Sequence, residues 1–389
     1  MFKIKEFNNI SPVAKEVLGE EKYAFVSEGE DYDAALVRSA ELKDEKFPEN
    51  LLAIARAGAG VNNIPVERCS EEGIVVFNTP GANANAVKEL VLCGMLLSCR
   101  KIIPAAEWVA NEKKNQTEGI EKLAEKAKKN FVGPELAGKT LGVIGLGAIG
   151  VLVANAAANG LDMNVIGYDP FMNVNSALHL SRRVKLSQEV EELYEKCDYI
   201  TLHLPLNKET EKMINKAAIE KMKDNAVLLN FARGALADNA AVLEALKEKK
   251  LRAYVTDFAA DELVGEEGVI ALPHLGASTP EAEENCAEMA AEELKDFIEN
   301  GNVVNSVNLP ECKMARAGKE RLTVINRNVA NMLGQIATVL AAEGLNIEHM
   351  LNKGRGAYAY TMIDTNEEIP QNALDKIKAI DGVLRVRVL

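Results

Sequence analysis

A chain of 389 residues is long enough for two or three domains, each with its own buried core. Its hydrophobic content of 48% and charged content of 26% are those of an ordinary globular protein, and no apolar run approaches the ~20 residues needed to span a bilayer. A net charge of −13 without a long basic tract disfavours nucleic acid as a partner.

The first residues and the cysteines indicate in which cellular compartment the protein is expected. The opening Met1-Phe2-Lys3-Ile4-Lys5 lacks the pattern of a signal peptide, so we expect a cytoplasmic protein without a membrane partner. The six cysteines are scattered among apolar neighbours with no Cys-x-x-Cys pair. This spacing predicts reduced core residues and no metal site.

The first third of the chain alternates short apolar runs with helical patterns. Runs at 32–37, 51–56 and 74–77 are bounded by turn residues and are typical of buried parallel strands. Residues 87–97 form an apolar helical pattern. The charged stretch 108–129 that follows predicts a solvated surface helix.

A glycine motif at residues 140–150 is the most informative segment. The apolar run 140–144 leads into Gly145-Leu146-Gly147-Ala148-Ile149-Gly150, a Gly-x-Gly-x-x-Gly turn that opens a helical pattern. Asp169 ends the next apolar run, 19 residues after Gly150. A strand, a glycine turn, a helix and a terminal acid in this order predict a dinucleotide site, with the phosphates at the helix N-terminus. An acid in this position favours NAD over NADP.

The rest of the chain continues this sheet and then changes its pattern. Further strands are predicted at 199–204, 226–230 and 253–256, with a helix at 239–249 and a long helix at 280–300. After a polar linker at about 311–319, the last seventy residues give the order strand, helix, strand, strand, helix, strand. That βαββαβ order is ferredoxin-like.

The sequence contains four histidines, so the search for a general base is short. His274 directly follows the last apolar strand of the nucleotide sheet, where ligands of open α/β sheets bind, and is the best candidate. Arg233 follows another strand and could hold a carboxylate through two parallel hydrogen bonds. Spacing alone does not decide whether Asp257, Asp261 or Glu262 supports the histidine.

Taken together, these segments resemble the D-isomer-specific 2-hydroxyacid dehydrogenases, especially the members that act on 3-phospho-D-glycerate. The resemblance extends through nearly the whole of the first 310 residues. The matching stretches are 56–64, 77–80, 136–150, 167–170, 203–206, 230–238 and 273–279. The run Pro-His-Leu-Gly-Ala-Ser-Thr at 273–279 is especially typical.

The resemblance implies roles for individual residues. It places the catalytic trio on Arg233, Glu262 and His274, with Leu263 where the family usually has a proline and with Asp261 as the alternative acid. It implies substrate binding by Arg56 and Asn83. The implied NAD contacts are Thr79, Gly145, Gly147, Ala148, Ile149, Gly150, Asp169, Leu204, Phe231, Ala232, Asp257, Gly276 and Ala277.

The last seventy residues resemble an ACT domain, a module that binds amino acids. The likeness lies in residues 323–347 and implies L-serine as a possible effector, bound by Asn328 and Asn346. The usual Pro-Gly turn reads Ala330-Asn331 here, and Asn tolerates the left-handed backbone that Gly would supply. A module that joins subunits without sensing an effector is the alternative.

The sequence therefore predicts two doubly wound, Rossmann-like α/β domains followed by a ferredoxin-like ACT domain. Expected boundaries are 1–97 with 284–312 for substrate binding, 98–283 for NAD binding and 320–389 for the ACT domain. The resemblance implies NAD-dependent oxidation of 3-phospho-D-glycerate to 3-phosphohydroxypyruvate in serine biosynthesis, by a homodimer or homotetramer. Alternatives are an NADH-dependent reductase of hydroxypyruvate, glyoxylate or another 2-oxo acid, and a non-catalytic sensor of NAD or of an amino acid.

Overall fold

The computed structural model describes residues 1–27, 29, 31–115 and 119–389. It divides into two compact units. The first unit contains residues 1–83 and 280–389, and the second contains residues 84–279. The predicted substrate-domain boundary at residue 97 differs from this division, because the helix that begins at Ala84 belongs to the second unit.

Helices and strands alternate through most of the chain. In chain order they are β1 (Phe2–Phe7), α1 (Val13–Leu18), β2 (Tyr23–Val26), β3 (Ala34–Val37), β4 (Ala53–Arg56), α2 (Val66–Glu71), β5 (Val75–Asn78), α3 (Ala84–Cys99), α4 (Ile102–Asn115), α5 (Ile120–Ala127), β6 (Thr140–Ile144), α6 (Ala148–Gly160), β7 (Asn164–Tyr168), α7 (Val174–His179), β8 (Val184–Leu186), α8 (Val190–Lys196), β9 (Tyr199–Leu202), α9 (Lys216–Lys221), β10 (Ala226–Asn230), α10 (Asn239–Lys247), β11 (Leu251–Thr256), β12 (Val269–Ala271), α11 (Pro280–Asn300), β13 (Glu320–Arg327), α12 (Met332–Ala342), β14 (Ile347–Arg355), β15 (Tyr358–Thr365), α13 (Gln371–Lys378) and β16 (Val383–Val388). Short 3-10 helices lie at Lys128–Phe131 and Gly234–Leu236.

The first unit is built on a parallel sheet with the strand order β2-β1-β3-β4-β5. Its strands are short, and apart from β1, in which three of the six residues are charged, they are almost wholly apolar, as expected where helices cover both faces of a sheet. Helices α1 and α11 supply small and aliphatic side chains to the core on one face, and Cys69 of α2 lies in the core on the other. This sheet places Arg56 at the carboxyl end of β4.

The second unit contains a parallel seven-stranded sheet in the order β12-β11-β10-β9-β6-β7-β8. Strand β6 lies between β7 and β9, so the strand order reverses at the glycine motif. Separate apolar cores cover the two faces of this sheet. In doubly wound sheets ligands bind outside the carboxyl ends of the strands at such a reversal.

The last part of the first unit is an antiparallel sheet in the order β14-β15-β13-β16. Helices α12 and α13 cover one face, where Leu322 and Val324 lie in a shared core. On the opposite face, Ile325, Tyr360 and Met362 join the core that contains α11. We call residues 320–389 the C-terminal module. Its element order and strand order confirm the predicted ferredoxin-like arrangement.

The C-terminal module also bonds the last carbonyl groups of α11 and the carbonyl of the residue that follows it, Gly301. Arg387 Nη2 donates to the Ile298 carbonyl at 2.9 Å, Arg321 Nη1 to the Asn300 carbonyl at 2.9 Å, and the Tyr360 hydroxyl to the Gly301 carbonyl at 2.7 Å. The last carbonyls of a helix have no partner within the helix, so these donors satisfy groups that would otherwise need water. The module therefore caps α11 through side chains distant in sequence.

Most of the predicted elements are present, with the following differences. Strand β2, at the edge of the first sheet, and strand β1, next to it, were not predicted, and neither were the short strands β8 and β12 of the second sheet. The charged stretch 108–129 forms α4, α5 and part of a 3-10 helix, and its residues 116–118 lie outside the described residues. The strand predicted to reach residue 204 ends at Leu202. No helix in the described part of the chain is both long and apolar enough to cross a membrane.

Candidate active site

Each of the three glycines of the motif has a different local environment. Gly145 has a left-handed backbone (φ +94°), and a Cβ there would lie 2.5 Å from the His203 carbonyl oxygen. A Cβ on Gly150 would lie 1.9 Å from the Gly145 carbonyl oxygen, so this position must be glycine for α6 to begin here. Gly147 has open space where a side chain would be, at the N-terminus of α6. The motif thus leaves room for a ligand against the free N–H groups of the helix.

Asp169 ties the end of β7 to this glycine turn. Its Oδ2 accepts a hydrogen bond from the Leu146 N–H at 2.8 Å, and its Oδ1 accepts one from the Phe171 N–H at 2.8 Å. A cavity of about 210 Å³ opens beside it, lined by Tyr168, Asp169, Pro170, Met172, Leu186, Ser187 and Gln188. The carboxylate therefore lies between the glycine turn and a cavity beyond the ends of β7 and β8.

Three ionisable side chains lie near one another at the carboxyl edge of the neighbouring strands β10, β11 and β12. Asp257 directly follows β11 and is almost completely buried. Its Oδ2 accepts a hydrogen bond from the Gly276 N–H at 2.9 Å. Burial raises the pKa of the Asp257 carboxyl, while the Gly276 N–H and the positive charges of His274 and Arg233 oppose that rise. The second oxygen, Oδ1, is buried and has no hydrogen-bond partner among the described residues.

His274 is held by its own backbone at this edge. It has a left-handed backbone (φ +44°), and its N–H donates to the Asp257 carbonyl at 2.8 Å. Its exposed imidazole lies against the Phe258 ring, with the two ring centres 4.9 Å apart. Arg233, also exposed, donates through Nη1 to the Ala232 carbonyl at 2.6 Å. The structure brings these predicted residues together around Asp257.

Glu262 is placed differently from its predicted role. It is exposed, and its Oε1 accepts a hydrogen bond from Asn239 Nδ2 at 2.8 Å, which lowers the pKa of the Glu262 carboxyl. In the described part of the chain no hydrogen bond joins it to His274. The alternative acid, Asp261, is exposed too. The assignment of Glu262 stays a prediction.

The other predicted NAD contacts of the second unit lie at strand ends or on the first turn of α6. Ala148 and Ile149 open α6, Phe231 and Ala232 follow β10, and Ala277 follows Gly276. Leu204 lies two residues beyond β9, after His203. Burial lowers the pKa of His203 to about 3, and its Nε2 lies 3.0 Å from Thr201 Oγ1. Burial therefore disfavours the protonated form of His203, which makes it a weaker candidate for the general base than the exposed His274.

Three predicted site residues, Arg56, Thr79 and Asn83, belong to the first unit. Arg56 Nε donates to Asn63 Oδ1 at 3.2 Å, and the guanidinium lies over Gly58, where a Cβ would clash with it. Thr79 is completely buried, and Asn83 lies in the turn before α3.

Sequence reasoning missed a second arginine at this edge of the first sheet. Arg38 follows β3, the neighbour of β4, and its Nη1 pairs with Glu283 Oε1 at 2.6 Å. Its position directly after the apolar run 32–37 was the available signal.

The two predicted effector residues are exposed on the C-terminal module. Asn328 Nδ2 donates to the Gly356 carbonyl at 3.2 Å, and Asn346 Nδ2 donates to Glu348 Oε1 at 3.0 Å. The predicted left-handed turn is present, since Asn331 has φ +64°. Asn326 was not predicted; it is buried in β13, and its Oδ1 has no partner among the described residues.

The cysteines and acidic residues of the described part of the chain do not form a metal centre. All six cysteines are free thiols. In residues 1–27, 29, 31–115 and 119–389, no group of His, Cys, Asp and Glu side chains could hold a metal ion.

Comparison with known proteins identifies the class to which this fold and site belong. Residues 92–276 match the family model of the NAD binding domain of D-isomer specific 2-hydroxyacid dehydrogenases. The chain belongs to the D-isomer specific 2-hydroxyacid dehydrogenase family, and NAD is the cofactor that this domain description gives.

Within this family the chain is similar to D-3-phosphoglycerate dehydrogenases. It is 38% identical to that of Methanocaldococcus jannaschii over 79% of this chain and 56% of the relative, and 37% identical to that of Bacillus subtilis over 72% and 52%. It thus spans about half the length of these curated relatives. An NAD⁺-bound 3-phosphoglycerate dehydrogenase from Entamoeba histolytica superposes with a TM-score of 0.62 at 30% identity, over 79% of this chain and 98% of that one.

Proposed function

We propose that this chain is an NAD-dependent dehydrogenase that oxidises 3-phospho-D-glycerate at C2 to 3-phosphohydroxypyruvate, the first step of phosphorylated L-serine biosynthesis. The observation that carries the proposal is the meeting of Arg233, Asp257 and His274 at one sheet edge, in the same unit as the glycine motif. A proton carrier, a carboxylate-binding cation and a nucleotide motif in one unit are what oxidation of a 2-hydroxy acid requires.

The residues present fit NAD. The α6 N-terminus and the open space at Gly147 suit the pyrophosphate, and Asp169 with its cavity suits the adenosine ribose. The unpartnered buried Oδ1 of Asp257 is an acceptor without a donor, which suits the carboxamide of a nicotinamide. The other predicted contacts are Leu204, Phe231, Ala232, Gly276 and Ala277, and the resemblance adds Thr79. When bound, NAD supplies the acceptor for the hydride that leaves C2.

The side chains would then divide the remaining chemistry. His274 takes the hydroxyl proton of C2 as a general base and returns it in the reverse direction. Arg233 binds the carboxylate of the hydroxy acid and stabilises negative charge that develops on the reacting oxygen. The buried Asp257 carboxyl lies near His274, and Glu262 is proposed as the carboxylate that supports the histidine.

Cations of the first unit are proposed to select the phosphorylated substrate. Arg56 is our first choice for the phosphate, with Asn83 as a neutral contact. Arg38 follows the strand next to that of Arg56, so both guanidinium groups stand at the same sheet edge. The ion pair of Arg38 with Glu283 joins two half-exposed side chains, so it is weak enough for a doubly charged phosphate to replace it.

The remaining parts of the proposal concern regulation and assembly. We propose that the C-terminal module is an ACT domain that binds L-serine, with Asn328 and Asn346 as contacts. The unpartnered Asn326 Oδ1 of β13 is an acceptor that supports a ligand with a donor group. A homodimer or homotetramer in the cytoplasm is proposed from the same resemblance.

The test is a comparison of substrates. NADH oxidation would be followed with 3-phosphohydroxypyruvate, hydroxypyruvate, glyoxylate and pyruvate, each with and without L-serine. A strong preference for the phosphorylated acid supports the proposal, and a loss of that preference in Arg56→Gln would assign the phosphate to Arg56. Preference for an unphosphorylated acid would instead indicate a general 2-oxo acid reductase. Inhibition by L-serine supports the effector site, and an unchanged rate contradicts it.

A further inference from the structure

The turn after β10 is held by one buried amide. Asn230 is the last residue of β10, and its side chain is fully buried. Its Oδ1 accepts a hydrogen bond from the Ala232 N–H at 3.2 Å, while its Nδ2 donates to the Arg233 carbonyl at 2.9 Å. A single side chain thus bonds one backbone donor and one backbone acceptor in the turn that carries Arg233.

The orientation of this amide is itself fixed. A carbonyl can only accept, so the nitrogen of the Asn230 amide must face Arg233 and the oxygen must face the Ala232 N–H. The nitrogen also lies 3.3 Å from the Tyr254 hydroxyl, and Thr256 Oγ1 donates to the Asn230 carbonyl at 2.9 Å. Both neighbours belong to β11, which pairs with β10 along its length. The amide is therefore anchored to the sheet as well as to the turn.

We propose that Asn230 is a positioning residue that sets the direction of Arg233 in the reaction; this rests on the proposed function. The Arg233 side chain is exposed, and among the described residues its one hydrogen bond is to the carbonyl of its own neighbour, Ala232. Its position is thus determined by the backbone of residues 232–233, which Asn230 holds. A displacement of about 1 Å at a group that contacts substrate can cost roughly 100-fold in rate.

The hydrogen bonds made by the oxygen and by the nitrogen of the Asn230 amide can be tested separately by substitution. In Asn230→Asp the shape is kept and an oxygen still accepts from the Ala232 N–H, but a second oxygen faces the Arg233 carbonyl and repels it. This change therefore disturbs Arg233 and preserves the bond at Ala232, a predicted NAD contact. Asn230→Ala removes both bonds and should affect both sides.

The experiment compares wild type, Asn230→Asp, Arg233→Lys and the double variant. For Asn230→Asp we expect kcat/KM for 3-phospho-D-glycerate to fall roughly 10- to 100-fold. The Kd of NADH, from fluorescence titration, should change less than about threefold because the contacts at Ala232 remain. In the double variant the two losses should not add, since both act through Arg233.

A matched control separates positioning from folding. Asn308 is also buried, and it bonds Ser70, Ile74 and Val76 in the first unit. Asn308→Asp should lower Tm without the selective loss of kcat/KM. The proposal is overturned if the losses in the double variant add fully, if NADH affinity falls in parallel, or if the control shows the same kinetic loss.

A further measurement does not depend on activity. Hydrogen exchange of the backbone in residues 231–236 should be faster in Asn230→Asp than in wild type, because the Arg233 carbonyl has lost its donor. Unchanged exchange would contradict the proposal even if the wild type proved to use another substrate. If the wild type oxidises no 2-hydroxy acid with NAD, the proposed function fails, while the exchange rates still decide whether Asn230 holds the turn.

Discussion

His274 depends on a strained backbone for its position. Its φ of +44° is uncommon for a residue other than glycine, and the Asp257 carbonyl holds it there. We expect His274→Ala to lower kcat by roughly 100- to 10,000-fold, since a general base is removed, while NADH still binds. Steady-state kinetics with a fluorescence titration of NADH measure both quantities.

The control for this prediction is another exposed histidine of the same unit. The imidazole of His179, on α7, bonds the Asn175 carbonyl one helical turn away, and no other side-chain hydrogen bond of His179 is seen among the described residues. His179→Ala should leave kcat near the wild-type value. Near-normal turnover in His274→Ala would remove that residue from the reaction.

Glu293 is a buried acid of α11 that the reaction does not use. One oxygen accepts a hydrogen bond from Asn305 at 2.8 Å, the other has no partner among the described residues, and burial raises the pKa of the carboxyl to about 8. The unfolded chain ionises this group near pH 4.5 and the folded chain does not, so stability is lost as pH rises from 4.5 to 8. Glu293→Gln keeps the acceptor and removes the titration.

We therefore expect Glu293→Gln to be more stable than wild type at pH 8, and the difference to shrink toward pH 5. The gap in the free energy of unfolding should widen by up to about 1.4 kcal/mol per pH unit across this window. Urea unfolding at several pH values measures it. A gap that is independent of pH would show that the carboxyl is ionised in the folded protein.

At the scale of elements, the glycine turn allows stability and binding to be separated. Gly150→Ala should lower Tm by several degrees, because its Cβ would overlap the Gly145 carbonyl. Gly147→Ala should leave Tm nearly unchanged and weaken NADH, since the space there is open to a ligand. Gly160 is the control, because it lies at the end of α6 with no atom near its Cβ position. Gly160→Ala should change neither Tm nor the affinity for NADH. Equal effects on Tm in all three would contradict this reading.

Elements with a strong local pattern could be predicted from sequence, and those without one could not. The glycine turn, the left-handed Asn331 and the bounds of α11 depend on neighbouring residues, and the structure agrees with them. Glu262 could not be placed in this way, because it lies in an irregular loop between β11 and β12. Its partner, Asn239, comes from a different element. The bonds made by Asn230 are local, but a strand-end asparagine in a sequence does not indicate which backbone groups it will meet.

At the scale of the whole molecule, the C-terminal module shares a core with α11. We expect deletion of residues 319–389 to destabilise the first unit, because apolar side chains of α11 and its last carbonyls lose their cover. The second unit has its own cores, so the truncated protein should still bind NADH. Calorimetry, limited proteolysis and NADH titration test this. An unchanged Tm with full activity would contradict it.

A point substitution tests the contact between the C-terminal module and α11 without removing the module. Arg387→Gln removes a guanidinium that bonds the Phe297 and Ile298 carbonyls and lies over the Phe297 ring, and it should lower Tm. Lys378→Gln, on the exposed side of α13, is the control and should leave Tm unchanged.

The sequence does not predict which elements cover the second face of the antiparallel sheet in the C-terminal module. The alternation of β13 shows that both faces of the strand are apolar, but not which partner covers the second face. Leu322 and Val324 lie in the core with the module's own helices, whereas Ile325 lies in the core that contains α11. The deciding residues, such as Arg321 and its buried partner Asp364, resemble ordinary surface charges in a linear sequence.

The capping of α11 by Arg321, Tyr360 and Arg387 limits how such a module can be exchanged between related proteins. A chimaera that received another protein's C-terminal module would leave the last turn of α11 without donors unless that turn and the linker came with it. Transplanting residues 297–389 together should therefore give folded hybrids where transplanting 320–389 alone does not. In this chain the module and the end of the helix that it caps therefore have to be exchanged together.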